Sequence, residues 1–271
     1  MWIGSPLRGA FRLLTYLSVT LVLVPIYLLA MTLRIRPVIR WMPVVYHRLV
    51  CIILGIKVRV HGERSDTIPT LYVCNHVSYL DIEVLGGLIP GSFVAKAEVA
   101  TWPFFSTLAK AQRTIFIERS SGKTSRSRDE MMGRLNTGDN LMLFPEGTSS
   151  DGQRVLPFRS ALFGVAQLRR DEKPIAVQSV AIAYTRLDGI PLGRYWRPLF
   201  AWFGDLDLVP HLWQMVCLGE TEAVVTFFPP VDIDQLGDRK KLAEYCFREV
   251  SGAVQAANSG RYELLPPKKA A

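Results

Sequence analysis

The chain has 271 residues, 49% of them hydrophobic, and a formal charge of +8, which is enough apolar material for one large core and a lipid-facing segment besides. All of the excess charge lies in residues 1–60, which carry eight basic side chains and no acid, while 24 basic and 24 acidic residues balance in the remainder. Basic groups that flank an apolar stretch suit an anionic membrane surface, and they argue against nucleic acid, whose binding needs such groups among polar and aromatic neighbours on a folded face.

The first predicted element is that apolar stretch. From Leu13 to Leu33 run 21 residues without a charge, bracketed by Arg12 and Arg34. As a helix they extend about 30 Å, the thickness of a bilayer core. The run is too long for the core of a cleaved signal peptide and lacks a clean cleavage site. Pro25 predicts a kink. A second apolar stretch, Val38 to Ile56, is interrupted by Arg40, His47 and Arg48 and reads as an interfacial helix with Trp41 and Tyr46 near the headgroups. The six basic residues from Arg34 to Arg59 favour a cytoplasmic side for all that follows. Residues 1–54 are thus expected to anchor the chain.

Beyond residue 55, β-rich and helical patterns alternate. Strands are predicted at Ile56–Val60, Thr70–Cys74, Phe93–Ala95, Thr114–Ile117, Asn140–Phe144, Ile175–Tyr184 and Ala223–Phe228. Helices are predicted near Leu80–Leu88, Trp102–Gln112, Thr124–Asn136, Ser160–Arg169 and Arg239–Ala257. This alternation predicts an α/β domain over 55–260, a central mixed sheet covered by helices. Residues 261–271 are expected to form a flexible tail. Cys51, Cys74, Cys217 and Cys246 are far apart in sequence, as buried thiols in a reducing compartment would be, not disulfides or metal ligands.

Two runs carry chemistry. In Leu71–Asp81 a buried strand delivers Asn75 and His76 to a strand-to-helix turn, and Asp81 follows five residues after the histidine. With His76 before the helix and Asp81 in its second turn, the two side chains can meet. An imidazole held by a carboxylate can take a proton from a hydroxyl. In Leu141–Ser150 a hydrophobic strand ends in the polar turn Pro145-Glu146-Gly147-Thr148-Ser149, where small residues let backbone N–H groups approach an anion. Ser78 is a conceivable nucleophile by composition alone. No Gly-x-Ser-x-Gly elbow of a lipid hydrolase occurs.

Together, Asn75-His76-x-x-x-x-Asp81 and Phe144-Pro145-Glu146-Gly147-Thr148 resemble the motifs of the glycerolipid acyltransferase family, typified by 1-acylglycerol-3-phosphate acyltransferases. Thr114–Arg119 is similar to that family's second block and Val177–Ile182 to its fourth, so the resemblance spans roughly 57–230. It implies a histidine base, His76, oriented by Asp81, an acyl thioester donor, and no metal or other cofactor. It also places Asn75, Lys96, Arg119, Glu146, Gly147, Thr148 and Arg159 at the substrates. The family's third block usually has an arginine where this chain has Ser149. The wording from Glu146 to Leu162 is similar to a bacterial branch that includes lyso-ornithine lipid acyltransferases. The resemblance implies O-acyl transfer from acyl carrier protein or coenzyme A to a lysolipid at the bacterial inner membrane, with the catalytic domain facing the cytoplasm. The first acceptor to expect is 1-acyl-sn-glycerol-3-phosphate, with lyso-ornithine lipid as the alternative. A non-catalytic lipid-binding protein on the same fold is the rival of another class, and it predicts loss of His76, Asp81 or Glu146. All three are present.

Overall fold

A computed structural model of the chain describes residues 3–96, 105–117, 124–170 and 172–266. Helix α1, Pro6–Thr32, starts with Pro6 in its first turn and is capped by the Ser5 hydroxyl, which accepts from the Arg8 N–H at 3.4 Å. Helix α2, Arg36–Leu54, stops at Gly55, whose φ of +72° is the left-handed conformation that ends helices. Thr20 and Tyr46 share a 2.9 Å hydrogen bond, and the Tyr27 hydroxyl donates to the Ile39 carbonyl at 3.4 Å. These pairings converge on the turn between the helices, so α1 and α2 form an antiparallel hairpin. Both are long and apolar enough to cross a membrane.

The body follows as β1 (Ile56–His61), β2 (Thr70–Cys74), α3 (Leu80–Gly86), β3 (Gly91–Lys96), α4 (Phe105–Ala111), β4 (Ile115–Ile117), α5 (Thr124–Asn136) and β5 (Asn140–Leu143). After a 3-10 segment, Ser160–Gln167, come the short ribbon β6 (Arg169–Arg170) and β7 (Lys173–Pro174), then β8 (Ala176–Leu187) and β9 (Ile190–Pro191). Last are α6 (Leu208–Cys217), β10 (Thr221–Phe227), α7 (Ile233–Leu236) and α8 (Arg239–Asn258). The main sheet runs β1-β10-β8-β2-β5-β3-β4, with β9 on β8. Strands β8, β2, β5, β3 and β4 are mutually parallel, and β10 turns antiparallel to β8. The sheet is mixed, as expected.

Alternation along the strands divides the core. Tyr72, Cys74, Met142 and Ile182 face a layer containing Val84 and Leu85 of α3 and Met215 of α6. Leu71, Val73, Leu141 and Leu143 face Leu135 of α5 and Leu242 and Cys246 of α8. The four cysteines are free and buried, in line with the sequence.

Three features go beyond the sequence reading. Helix α6 was not among the predicted helices; its Pro210 is the third residue, where a proline is tolerated near a helix start. Residues 261–266 pack on the body: Tyr262 stacks on His61, Leu265 is buried, and the His61 imidazole lies 3.2 Å from the Pro266 carbonyl. The expected anchor is also part of the body's wall. Arg12 donates to the carbonyls of Val216 and Leu218 at 3.3 and 2.7 Å, and Gly9 lies so close to Cys217 that a Cβ there would clash with its sulfur.

Candidate active site

Strands β2 and β5 are parallel neighbours that end level, with Val73 opposite Leu143. Their outgoing turns therefore leave the sheet side by side, at the carboxyl edge where open α/β sheets place ligands. The Ser150 N–H donates to the His76 carbonyl at 2.8 Å and the His76 N–H to Glu146 Oε1 at 2.6 Å, which lock the two turns together.

His76 and Asp81 meet as expected, with Nδ1 and Oδ2 2.8 Å apart. The register differs from the expectation, because Asp81 is the second residue of α3 and lies in its first turn. The same oxygen also accepts the backbone N–H groups of Val77 and Ser78 at 2.7 and 3.0 Å, and Oδ1 accepts the Tyr184 hydroxyl at 2.9 Å. Asp81 is fully buried. Burial, then the adjacent Asp81 carboxylate, pushes the Tyr184 hydroxyl well above its ordinary pKa and keeps it a donor. With the Nδ1 proton directed at Asp81, Nε2 of His76 is left as the proton acceptor. The ring stacks on Phe144 with centroids 4.2 Å apart, and its side chain keeps 22% exposure. The contacts of Tyr184 and Phe144 with the pair were not foreseen, although Phe144 opens the second motif and Tyr184 ends the predicted strand Ile175–Tyr184.

The remaining expected site residues divide. Asn75 is buried and clamps β8, donating to the Ile182 carbonyl at 3.0 Å and accepting its N–H at 2.9 Å. Glu146 is buried too, and its second oxygen accepts the Leu156 N–H at 2.7 Å. Burial pushes its carboxyl up to about 8 against the pull of those two amides. Both residues brace the turn instead of offering a side chain to a ligand. Gly147 and Thr148 line a cavity with His76. Gly147 has φ +68° and donates its N–H to the Phe144 carbonyl, whereas the amides of Thr148 and Ser149 have no protein acceptor among the described residues. The exposed guanidinium of Arg159 lies against Gly147, where a Cβ would meet its Cζ at 3.2 Å. Lys96 ends β3, but its side chain lies outside the described residues, as does all of Arg119. Trp102 to Phe104 lie outside them as well. Ser78 is fully buried and does not line the cavity. His211 is structural, holding Tyr79 at 3.0 Å and the Leu199 carbonyl at 3.2 Å.

The cavity measures about 440 Å³ and runs from His76 to the inner faces of α1 and α2, where Leu23, Val24 and Met42 contribute apolar wall. That volume suits a lipid-sized ligand. Among the described residues no cluster of His, Cys, Asp or Glu is arranged to hold a metal.

Comparison with known proteins agrees with this chemistry. A family model described as Acyltransferase matches residues 57–183. A lyso-ornithine lipid O-acyltransferase of Rhizobium meliloti is 41% identical over 96% of this chain and 89% of its own length. A 1-acyl-sn-glycerol-3-phosphate acyltransferase of Neisseria gonorrhoeae is 32% identical over 68% of this chain and 69% of its own. The crystal structure of the 1-acyl-sn-glycerophosphate acyltransferase from Thermotoga maritima shares the fold, with a TM-score of 0.65 at 21% identity over 92% of this chain and 95% of that one.

Proposed function

This chain belongs to the acyltransferase family, and from that premise we propose that it esterifies the free hydroxyl of lyso-ornithine lipid with a fatty acyl group from a thioester of acyl carrier protein or coenzyme A. The observation that carries the reading is the His76–Asp81 pair at one end of an apolar cavity. His76 Nε2 removes the proton of the acceptor hydroxyl as its oxygen attacks the thioester carbonyl. Asp81 holds the imidazole in its tautomer and stabilises the imidazolium. The tetrahedral oxyanion is met by the amides of Thr148 and Ser149, which have no acceptor among the described residues, whereas the Gly147 amide is engaged with the Phe144 carbonyl. The oxyanion then collapses, the carbon–sulfur bond breaks, and His76 returns the proton to the departing thiolate. The fatty chain occupies the cavity below α1 and α2. No acyl-enzyme and no metal takes part.

The sequence points to two acceptors. Lyso-ornithine lipid is placed first because the relative named for it is the more similar, and because Ser149 leaves a zwitterionic headgroup without the family's usual arginine. The exposed guanidinium of Arg159 beside Gly147 favours 1-acylglycerol-3-phosphate as a second acceptor, since charge-assisted bonds from arginine to phosphate are strong. The apolar hairpin associates with the membrane, and Arg8, Arg12, Arg48, Lys57 and Arg59 at its body end favour the cytoplasmic face of the inner membrane for the body. The test is competition between the two lysolipids for one acyl thioester on the purified protein. The expected result is acylation of both, with lyso-ornithine lipid favoured. Turnover of neither would sink the proposal, and turnover of the phosphate acceptor alone would overturn the choice of headgroup.

A further inference from the structure

One stretch of the cavity wall is not apolar. His47 of α2, Glu83 of α3 and Gln112 just beyond α4 converge on it, with His47 Nδ1 2.7 Å from Glu83 Oε2 and Nε2 3.0 Å from Gln112 Oε1. The Gln112 amide nitrogen donates to the Gly91 carbonyl at 3.4 Å, which turns its oxygen toward the histidine. Both imidazole nitrogens therefore face acceptors, so the ring holds two protons and forms an ion pair with Glu83. Gly86 makes room for it, because a Cβ there would lie 2.4 Å from His47 Cδ2. The Tyr46 and Tyr16 side chains line the same cavity. Glu83 Oε1 has no protein partner among the described residues, and its side chain keeps 20% exposure.

Stability does not explain an ion pair beside an acyl channel. A buried pair is commonly replaceable by apolar residues at no loss, and a plain hydrocarbon chain gains nothing from it. The free carboxylate oxygen suits a hydrogen-bonding group on the bound lipid, and so does the Tyr46 hydroxyl, which can donate its proton while it accepts the Thr20 hydroxyl at 2.9 Å. The His47–Glu83 pair is already neutral, so an ammonium or carboxylate would leave an unbalanced charge in apolar surroundings. A hydroxyl leaves none, and it can donate to Glu83 Oε1 while accepting from a tyrosine. Glu83 pairs with His47 of α2, whereas His76 sits on the turn before α3, so the hydroxyl is met along the chain and not at its thioester end.

We propose that Glu83, held by His47, together with Tyr46 forms a subsite that reads a hydroxyl on the donor's fatty acyl chain. The inference rests on the acyl-transfer reading above. The test uses the full chain in phospholipid vesicles, lyso-ornithine lipid as acceptor, and carrier-protein thioesters of one length that are unsubstituted, 3-hydroxylated or hydroxylated mid-chain. The expected result is a kcat/KM about tenfold or more higher for the mid-chain hydroxy donor. Tyr46→Phe is expected to shrink that ratio several-fold, and the double change His47→Leu with Glu83→Leu to abolish it. A merely structural staple between α2 and α3 would slow all donors alike, so a ratio that survives in both variants overturns the proposal. So does wild-type turnover without preference, which leaves acyl transfer itself standing. A preference that follows an extra hydroxyl on the acceptor's chain overturns the assignment to the donor. Failure of every donor overturns the acyl-transfer reading and this inference with it.

Discussion

Substituting Asp81 by asparagine separates the charge at the site from its geometry. Oδ2 of Asp81 gathers three N–H donors, those of His76 Nδ1, Val77 and Ser78, and Oδ1 accepts from Tyr184. An asparagine there must turn its amide oxygen to the three donors, because its NH2 would oppose all of them. The NH2 then meets the Tyr184 oxygen, which can accept. The imidazole thus keeps its Nδ1 proton and its free Nε2. In the serine-protease triad the corresponding change costs about 10⁴ in rate, because the imidazole takes the wrong tautomer. The amides of Val77 and Ser78 prevent that here, and only the charge is lost. A hydrogen bond to a charged group contributes about 1–2 kcal/mol more than a neutral one. The Coulomb attraction to an imidazolium raises the loss toward about 4 kcal/mol at most. At about 1.4 kcal/mol per decade, kcat/KM should fall roughly 10²-fold, with the fold retained. His76→Ala removes the base itself and should fall at the far end of the roughly 10²–10⁴ range for general-base catalysis. Both are measured by thiol release from an acyl thioester, with thermal unfolding as the control. An asparagine variant within threefold of wild type would refute the role of the charge. One as inactive as His76→Ala, yet folded, would show that the tautomer is not fixed by the backbone.

Glu146→Gln should alter the pH dependence of stability, since burial holds the Glu146 carboxyl at about 8 in the fold. A carboxyl raised in this way stabilises the protein most below its unfolded value of roughly 4.3 and loses that contribution as pH rises through about 8. Denaturant midpoints should fall across that window in the wild type and stay flatter in the glutamine variant; equal slopes would refute the argument. Ser149→Arg puts a cation on the cavity wall beside Gly147 and Thr148 and should shift preference toward 1-acylglycerol-3-phosphate. An unchanged acceptor ratio in an active variant would show that position 149 does not face the headgroup.

The sequence made the His76–Asp81 pair legible because both of its members lie in one strand-turn-helix run, the 11 consecutive residues from Leu71 to Asp81. The strands were legible for a similar reason, since each is a short β-rich run between turn signals. The order of the strands was not. Nothing local shows that β8 lies between β2 and β10, because a pairing across 100 residues leaves no trace in either segment. Asn75 and Glu146 were placed at the substrate by motif, but their partners are backbone groups at Ile182 and Leu156, which side-chain identities cannot foretell. The His47–Glu83–Gln112 cluster was invisible on the same ground, its members lying 36 and 65 residues from the histidine.

The α1–α2 hairpin has two faces with different duties. Its inner side supplies Leu23, Val24 and Met42 to the cavity, while Leu21, Val22 and Ile52 point outward with 77%, 58% and 72% exposure. One layer of helix thus separates the substrate chamber from the surrounding lipid. Both reactants carry fatty chains, so the route of least resistance is sideways out of the bilayer and not through water. The relevant concentration is then a two-dimensional one. Diluting the lysolipid with inert phospholipid at constant bulk molarity should slow turnover, and adding more vesicles of the same composition should leave a fully bound enzyme unchanged.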